Sequence, residues 1–223
     1  MDENLEFRVE GGSVRVADLR FNPKPVRGNT WNEIHKAKYG TERPSFRQAS
    51  IEEIWRLIVG AYRGLESPNK ATKKCAEEII GVFEDSCVIS SNVAFNFQDM
   101  SYLFRNPLID ERGEIIPVKE EIMYGIFRNR NGNQSLVRRM VLSNAQNPEV
   151  FVNFIAGERE YVEYQKLLEM SRKEGNLQLT PSPNQIEFPM ITLEEELSLG
   201  FLDVQKDWEL SSFGVQKVFP YVK

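Results

Sequence analysis

The residue types best suited to binding an anion are concentrated in one short segment of this chain. They are Arg128, Arg130, Asn131, Arg138 and Arg139. An arginine guanidinium is planar and can bond a phosphate or carboxylate at two positions. The apolar spacing predicts helices over 118–127 and 136–142, so the N-terminus of the second helix would add free N–H groups to such a site. The alternative interpretation is a solvated turn between two helices, because Asn and Gly are common turn residues.

A second basic segment contains aromatic residues, a combination that suits contacts with single-stranded nucleic acid. Its candidate residues are Trp31, Lys36, Lys38 and Arg43. The alternative is a connector whose aromatic side chains anchor it to the core while its charged groups stay in water. Positions 17–48 hold seven basic and three acidic residues, whereas 156–223 hold twelve acidic and seven basic ones. This charge separation favours head-to-tail contacts between copies, which predicts self-association.

The chain is poor in the residues that most recognisable catalytic and metal sites require. It has one histidine, His35, and two cysteines, Cys75 and Cys87. A zinc site needs three or four ligands drawn mainly from these types. The glycine-rich phosphate loops and the hydrolase nucleophile motif are also missing. We therefore expect no metal and no cofactor, and the chemistry that remains is carboxylate chemistry, for example with magnesium.

Composition and charge are those of an ordinary globular protein. The 223 residues are 41% apolar and 27% charged, with a net charge of −5. The first residues are acidic and polar, which predicts no signal peptide. No apolar run approaches the roughly 18 residues that a membrane span needs. The expected location is the cytoplasm, without membrane contact.

Strands are predicted in three places. Apolar and polar residues alternate over 4–9 and again over 13–21, and Gly11-Gly12 between them supplies the positive φ angles of a tight hairpin turn. Alternation also predicts a strand over 87–97. The tail over 201–223 alternates weakly, which indicates an added edge strand.

Helices are predicted where a capping residue precedes apolar residues at helical spacing. Ser50 and Glu53 form a capping box ahead of the widest apolar stripe, which contains Trp55 and predicts a helix central to the core. The other predicted helix starts are Asn29 or Thr30, Ser67 with Pro68, Asn147 with Pro148, and the Thr192-Leu-Glu-Glu195 capping box.

These elements predict a single α+β domain over 1–223. Its sheet is expected to be small and antiparallel, built from the N-terminal hairpin, the strand near 87–97 and the tail, and covered by five to seven helices. Three prolines over 176–191 indicate a linker. A small C-terminal subdomain over 176–223 is the alternative.

The sequence favours a non-enzymatic protein that binds a ligand or a partner. This interpretation follows mainly from the missing catalytic residues and from the charge separation. The alternative is a protein that binds nucleic acid or a nucleotide phosphate through the cluster from Arg128 to Arg139, including an enzyme that uses carboxylates and magnesium. Salt dependence separates the two, because phosphate binding weakens steeply as salt rises.

Overall fold

The described residues form two large β-sheets, of five and nine strands, and a separate two-stranded sheet. The computed structural model describes residues 6–38, 46–97, 99–104, 127–128, 134–135, 137–178, 186–203 and 209–218. The strands in chain order are β1 (Phe7–Glu10), β2 (Ser13–Val16), β3 (Leu19–Phe21), β4 (Val26–Gly28), β5 (Arg47–Gln48), β6 (Cys87–Ile89), β7 (Val93–Phe97), β8 (Met100–Phe104), β9 (Phe127–Arg128), β10 (Gln134–Ser135), β11 (Val137–Val141), β12 (Gly175–Gln178), β13 (Ile186–Thr192), β14 (Leu197–Asp203), β15 (Leu210–Ser212) and β16 (Gly214–Lys217).

The described residues form five α-helices, of which four have seven or more residues. They are α1 (Trp31–Lys36), α2 (Ile51–Gly64), α3 (Lys70–Asp85), α4 (Pro148–Ala156) and α5 (Tyr161–Ser171). The prediction of a mixed α+β class is right, but the prediction of one small sheet covered by five to seven helices is wrong. The strand β11 falls in a segment predicted as a helix, and most of β13 falls in the predicted linker.

The five-stranded sheet has the order β1-β2-β3-β16-β5, and every pair in it is antiparallel. Its first turn confirms the predicted hairpin, since Gly11 and Gly12 have φ angles of +56° and +80°. The tail strand β16 lies between β3 and β5 rather than at the edge. The sheet is therefore completed by residues from the far end of the chain.

The nine-stranded sheet has the order β11-β8-β7-β13-β6-β15-β4, and β14 pairs both with β13 and with β12. The β15–β6 and β12–β14 pairs are parallel, and the others are antiparallel. The predicted linker over 176–191 is wrong for its second half, because Ile186–Thr192 is the central strand β13. The predicted strand over 87–97 is divided into β6 and β7, which pair with different parts of β13.

The helices α2 and α3 pack against strands of both sheets and form the main core. The capping box of α2 is confirmed: Ser50 caps the helix, and the backbone N–H of Ser50 donates to the Glu53 carboxylate over 2.8 Å. Trp55 is fully buried, as predicted for the stripe that contains it. The predicted cap of α3 is wrong, because Asn69 rather than Ser67 accepts the first free N–H groups.

A smaller core covers the opposite face of the nine-stranded sheet. Trp31 and Ile34 of α1 pack there against Phe188 and Met190 of β13. The predicted short helix is confirmed with Thr30 as its cap. None of the described helices is both long enough and apolar enough to cross a bilayer.

Candidate functional site

A cleft of about 700 Å³ opens where the first turns of α2 meet strands β8 and β11 and the turn between α4 and α5. We call it the Glu160 cleft. The buried residue Leu103 on β8 also lines it. Its charged lining residues include Asp18, Glu52, Arg56, Arg138, Glu158 and Glu160. Clefts that hold small molecules typically enclose about 300–1,000 Å³, so this cleft has the size of a ligand site.

Arg138 fixes one wall of the cleft. Its Nη2 lies 2.8 Å from Oε1 of Glu52, which joins β11 to the first turn of α2. Its Nη1 donates to the carbonyl oxygens of Phe154 and Ile155 at 3.3 and 3.4 Å. These carbonyls lie in the last turn of α4, where a cation is favourable. The Arg138 guanidinium is thus already engaged within the fold.

The N-terminus of α2 is held equally firmly. Two guanidinium nitrogens of Arg47 lie 2.8 and 2.5 Å from the carboxylate oxygens of Glu53, whose side chain is 4% exposed. The carboxamide oxygen of buried Asn92 accepts the backbone N–H of Ile51 at 2.8 Å. Because these bonds fix the first turn, the cleft walls are positioned before any ligand arrives.

Glu160 lies in the turn that precedes α5 and lines the cleft with a half-buried carboxyl group. The indole Nε1 of Trp55 donates to Oε2 of Glu160 over 3.1 Å, which fixes the direction of the carboxyl group. Burial raises the pKa of Glu160. The hydrogen bond from Trp55 and the nearby charges of Arg56 and Arg138 lower it, but burial has the larger effect, so the pKa lies above its ordinary value. The carboxylate makes no ion pair with any residue in the described part of the chain.

Gly157 shapes the wall beside Glu160. It ends α4 with a φ angle of +129°, a conformation that residues with a side chain rarely adopt. A Cβ at this position would lie 3.4 Å from Cγ of Glu160 and 3.6 Å from Nη2 of Arg138. The φ angle therefore favours glycine here, whereas the space beside Glu160 and Arg138 would admit a Cβ.

Charge is unevenly compensated around the cleft. Glu52 and Glu53 are paired with arginines, and Nη1 of Arg56 lies 3.7 Å from the Asp18 carboxylate. Within the described ranges, Glu158 and Glu160 have no ion-pair partner. Lys217, which lines the cleft from β16, also has no ion-pair partner in those ranges, but its side chain is exposed.

The predicted anion-binding residues are not all brought together. The segment predicted as a helix over 136–142 contains strand β11 instead, so it provides no helix N-terminus. Successive residues of a strand point to opposite faces of the sheet. Arg138 therefore faces the cleft, whereas Arg139 lies on the other face, with its Cζ 6.0 Å from the centroid of the Tyr102 ring. Arg128 is in strand β9, but its side chain, Arg130 and Asn131 lie outside the described residues.

In the basic and aromatic segment, Trp31 is 4% exposed and stacks against two rings. Its ring centroid is 4.3 Å from that of His35 and 4.7 Å from that of Phe188. Such a buried ring offers no face to a base. Lys38 is exposed, whereas the Lys36 side chain and Arg43 lie outside the described residues.

The sequence interpretation did not single out Glu160 or Glu52. Glu52 lies inside a feature that it did recognise, the Ser50–Glu53 capping box, whereas Glu160 follows Gly157, which ends α4. Their convergence depends on the packing of α2 against α4 and α5, which has no local sequence signal. In the described ranges no three His, Cys, Asp or Glu residues are grouped as metal ligands would be.

Both thiols are unsuited to nucleophilic chemistry at neutral pH. Burial raises the pKa of Cys87 to about 11, and the charge of Glu194 adds to the shift. Burial also raises the pKa of Cys75, with a smaller contribution from Glu78. Because the thiolate is the reactive form, both cysteines behave as small core residues.

Comparison with protein families, with curated proteins and with solved structures found no match to this chain.

Proposed function

We propose that this chain is a non-enzymatic ligand-binding protein and that a small polar molecule occupies the Glu160 cleft. The observation that carries the proposal is the cleft itself, which has the volume of a small-molecule site and walls that are mostly charged. A ligand in such a cleft makes hydrogen bonds and ion pairs rather than apolar contacts. The cleft therefore favours a polar ligand over a hydrophobic one.

Preorganised walls support the proposal. The Arg138–Glu52 and Arg47–Glu53 pairs hold the cleft residues in place across three elements. A site whose side chains are already fixed loses less conformational entropy when it binds a ligand. The walls thus have the rigidity that specific recognition of a small molecule requires.

The test is a thermal-shift screen with small polar compounds, namely amino acids, amines, sugars, carboxylates and nucleotides, followed by calorimetry on the hits. Glu158 is exposed and lines the cleft, so Glu158→Trp places a large ring in it. Glu77→Trp is the matched control, because Glu77 is exposed on α3 and does not line the cleft.

We expect at least one class of compound to raise the melting temperature and to bind at least about tenfold more weakly to Glu158→Trp, a loss of about 1.4 kcal/mol. Binding to Glu77→Trp should be unchanged. If no compound class stabilises the protein, or if Glu158→Trp binds as well as the unmodified chain, the proposal is wrong.

The phosphate-binding alternative stays a prediction with its own test. It requires binding of oligonucleotides or polyphosphates that weakens steeply between 50 and 200 mM salt. The engagement of Arg138 with Glu52 and with α4 gives it no added support.

A further inference from the structure

We infer that the ligand of the Glu160 cleft carries a positively charged amino group, which Glu160 binds. This inference rests on the proposed function and specifies its ligand class. It begins from the difference between Glu160 and the other carboxylates of the cleft that are at least partly buried. Glu52 and Glu53 each have an arginine partner within 2.8 Å, whereas Glu160 has no cationic partner among the described residues.

Because Glu160 is partly buried, its ionised carboxylate is energetically unfavourable without a cationic partner. An ionised carboxylate that is partly removed from water needs a cation or several hydrogen bonds to offset the lost hydration. Glu160 is half-buried, and the only hydrogen bond to its side chain from the described residues is the one from Trp55 at 3.1 Å. An ammonium group in the cleft would supply the missing charge and up to three further donors.

The arginines beside Glu160 do not supply that charge. The Nη1 and Nη2 atoms of Arg138 are directed to α4 carbonyls and to Glu52. Arg56 is nearest to Asp18, at 3.7 Å. Both lie close enough to influence the Glu160 carboxyl group electrostatically, but neither forms an ion pair with it. An ammonium ligand therefore completes an interaction that the fold leaves open.

Fixed geometry makes Glu160 a recognition residue rather than a mobile surface acid. Trp55 is fully buried, so its indole N–H holds Oε2 from beneath the cleft. Oε1 takes part in no hydrogen bond with the described residues, and the group lines the open space. One carboxylate oxygen is anchored while the other is available to a ligand.

The experiment compares three four-carbon probes that differ only in their end groups. They are 1,4-diaminobutane, 1,4-butanediol and succinate, titrated by calorimetry at pH 7 in 25 mM salt. We expect the diamine to bind and the diol and the dicarboxylate to bind at least about tenfold more weakly, the ratio expected when a charged hydrogen-bonding group is lost. Raising the salt to 250 mM should weaken diamine binding.

Variants then assign the binding to Glu160. Glu160→Gln keeps an oxygen that accepts the Trp55 N–H but removes the charge, and we expect about tenfold weaker diamine binding. Glu160→Asp retains the charge and should recover part of the affinity. Glu77→Gln removes an exposed carboxylate of α3 that does not line the cleft, and it should change the affinity by less than about threefold. Melting temperatures of all three variants verify that each is folded.

The outcomes separate this inference from the function on which it rests. Binding of succinate or the diol but not of the diamine would overturn the inference and leave a ligand-binding cleft. Diamine binding that Glu160→Gln does not weaken would also overturn it. If none of the three probes binds at 10 mM, the inference is wrong, and the broader screen with Glu158→Trp decides separately whether the cleft binds any ligand.

Discussion

Arg138 and Glu52 join the edge of the nine-stranded sheet to the helix that packs against both sheets. The guanidinium Nη2 and the carboxylate Oε1 lie 2.8 Å apart, and the two side chains are 32% and 15% exposed. Partial burial protects this pair from screening by salt, and the same guanidinium closes the last turn of α4. One side chain thus connects three elements around the cleft.

Arg138 should matter for folding. Arg138→Gln removes the ion pair and the bonds to α4, and we expect a loss of about 1–3 kcal/mol in the free energy of unfolding. Arg139→Gln, on the opposite face of the same strand, should change it by no more than about 0.5 kcal/mol. Urea denaturation measures both. In a double-mutant cycle, Glu52→Gln should couple to Arg138→Gln by at least about 0.5 kcal/mol, and strict additivity would contradict the assigned pairing.

The stability of the protein should depend strongly on Trp55 in the main core. Trp55→Ala empties a fully buried site, and we expect a loss of about 3–5 kcal/mol. Trp55→Phe keeps most of the apolar volume but removes the donor to Glu160, so it should cost clearly less. Chemical denaturation of both variants provides the comparison, and unchanged stability in Trp55→Ala would contradict the burial of Trp55 in the main core.

Glu160 should make the folded state less stable as pH rises. The ordinary pKa of a glutamate is 4.5, and burial holds the folded-state pKa of Glu160 above that value. Between these two values the folded state binds more protons than the unfolded state, so the stabilisation present below pH 4.5 is lost as pH rises through the folded-state pKa. Arg56 and Arg138 reduce the effect, and Glu163 adds to it.

Glu160→Gln removes this titration. We therefore expect its melting temperature, relative to that of the unmodified protein, to increase from pH 4 to pH 7. Glu158→Gln serves as the control, since its side chain is exposed. A difference that stays constant over this range, as measured by scanning calorimetry, would contradict the assigned burial of Glu160.

Gly175 should be intolerant of a side chain. A Cβ at this position would lie 2.1 Å from the hydroxyl oxygen of Tyr164 and 3.0 Å from its Cζ. We expect Gly175→Ala to cost about 1–3 kcal/mol, and Tyr164→Phe to relieve part of that cost because it removes the nearest atom. The control is Gly81→Ala in α3, where a Cβ meets nothing within 4 Å and alanine should stabilise the helix by up to about 1 kcal/mol. Equal effects at the two glycines, measured by thermal denaturation, would rule out the close contact.

The elements that could be predicted from the sequence are those whose signals are local. Gly11-Gly12 needs only its own φ angles to form the hairpin, and the Ser50–Glu53 capping box needs only one helical turn. Both predictions are confirmed. The main core could be predicted as well, because the wide apolar stripe of α2 must be buried between other elements.

The elements that could not be predicted are specified by distant pairing. Val137, Met140 and Val141 have helical spacing, yet the segment is a strand because β8 offers its edge. Thr192 resembles a helix cap, but its hydroxyl group donates to the carbonyl of Phe83 at 3.3 Å and the chain turns into β14. Pro189 indicates a linker, and it is tolerated in β13 because it falls between the segments that pair with β7 and β6.

The candidate site could not be predicted for the same reason. Glu160 and Arg138 come from separate elements, and only the assembled layers place them at one cleft. The sequence shows the charge of each residue, but it does not show whether that residue has an ion-pair partner.

The position of β16 also constrains the order in which the protein is built. The strand β3 ends at Phe21, and its neighbour in the sheet begins at Gly214. During synthesis β3 leaves the ribosome long before β16, so one edge of β3 has no partner in the interval between them. Such distant closure is entropically slow, so the nascent chain passes through a long interval in which an exposed β3 edge is available for wrong pairing. We conclude that the edge of β3 stays open to wrong pairing until β16 has been synthesised.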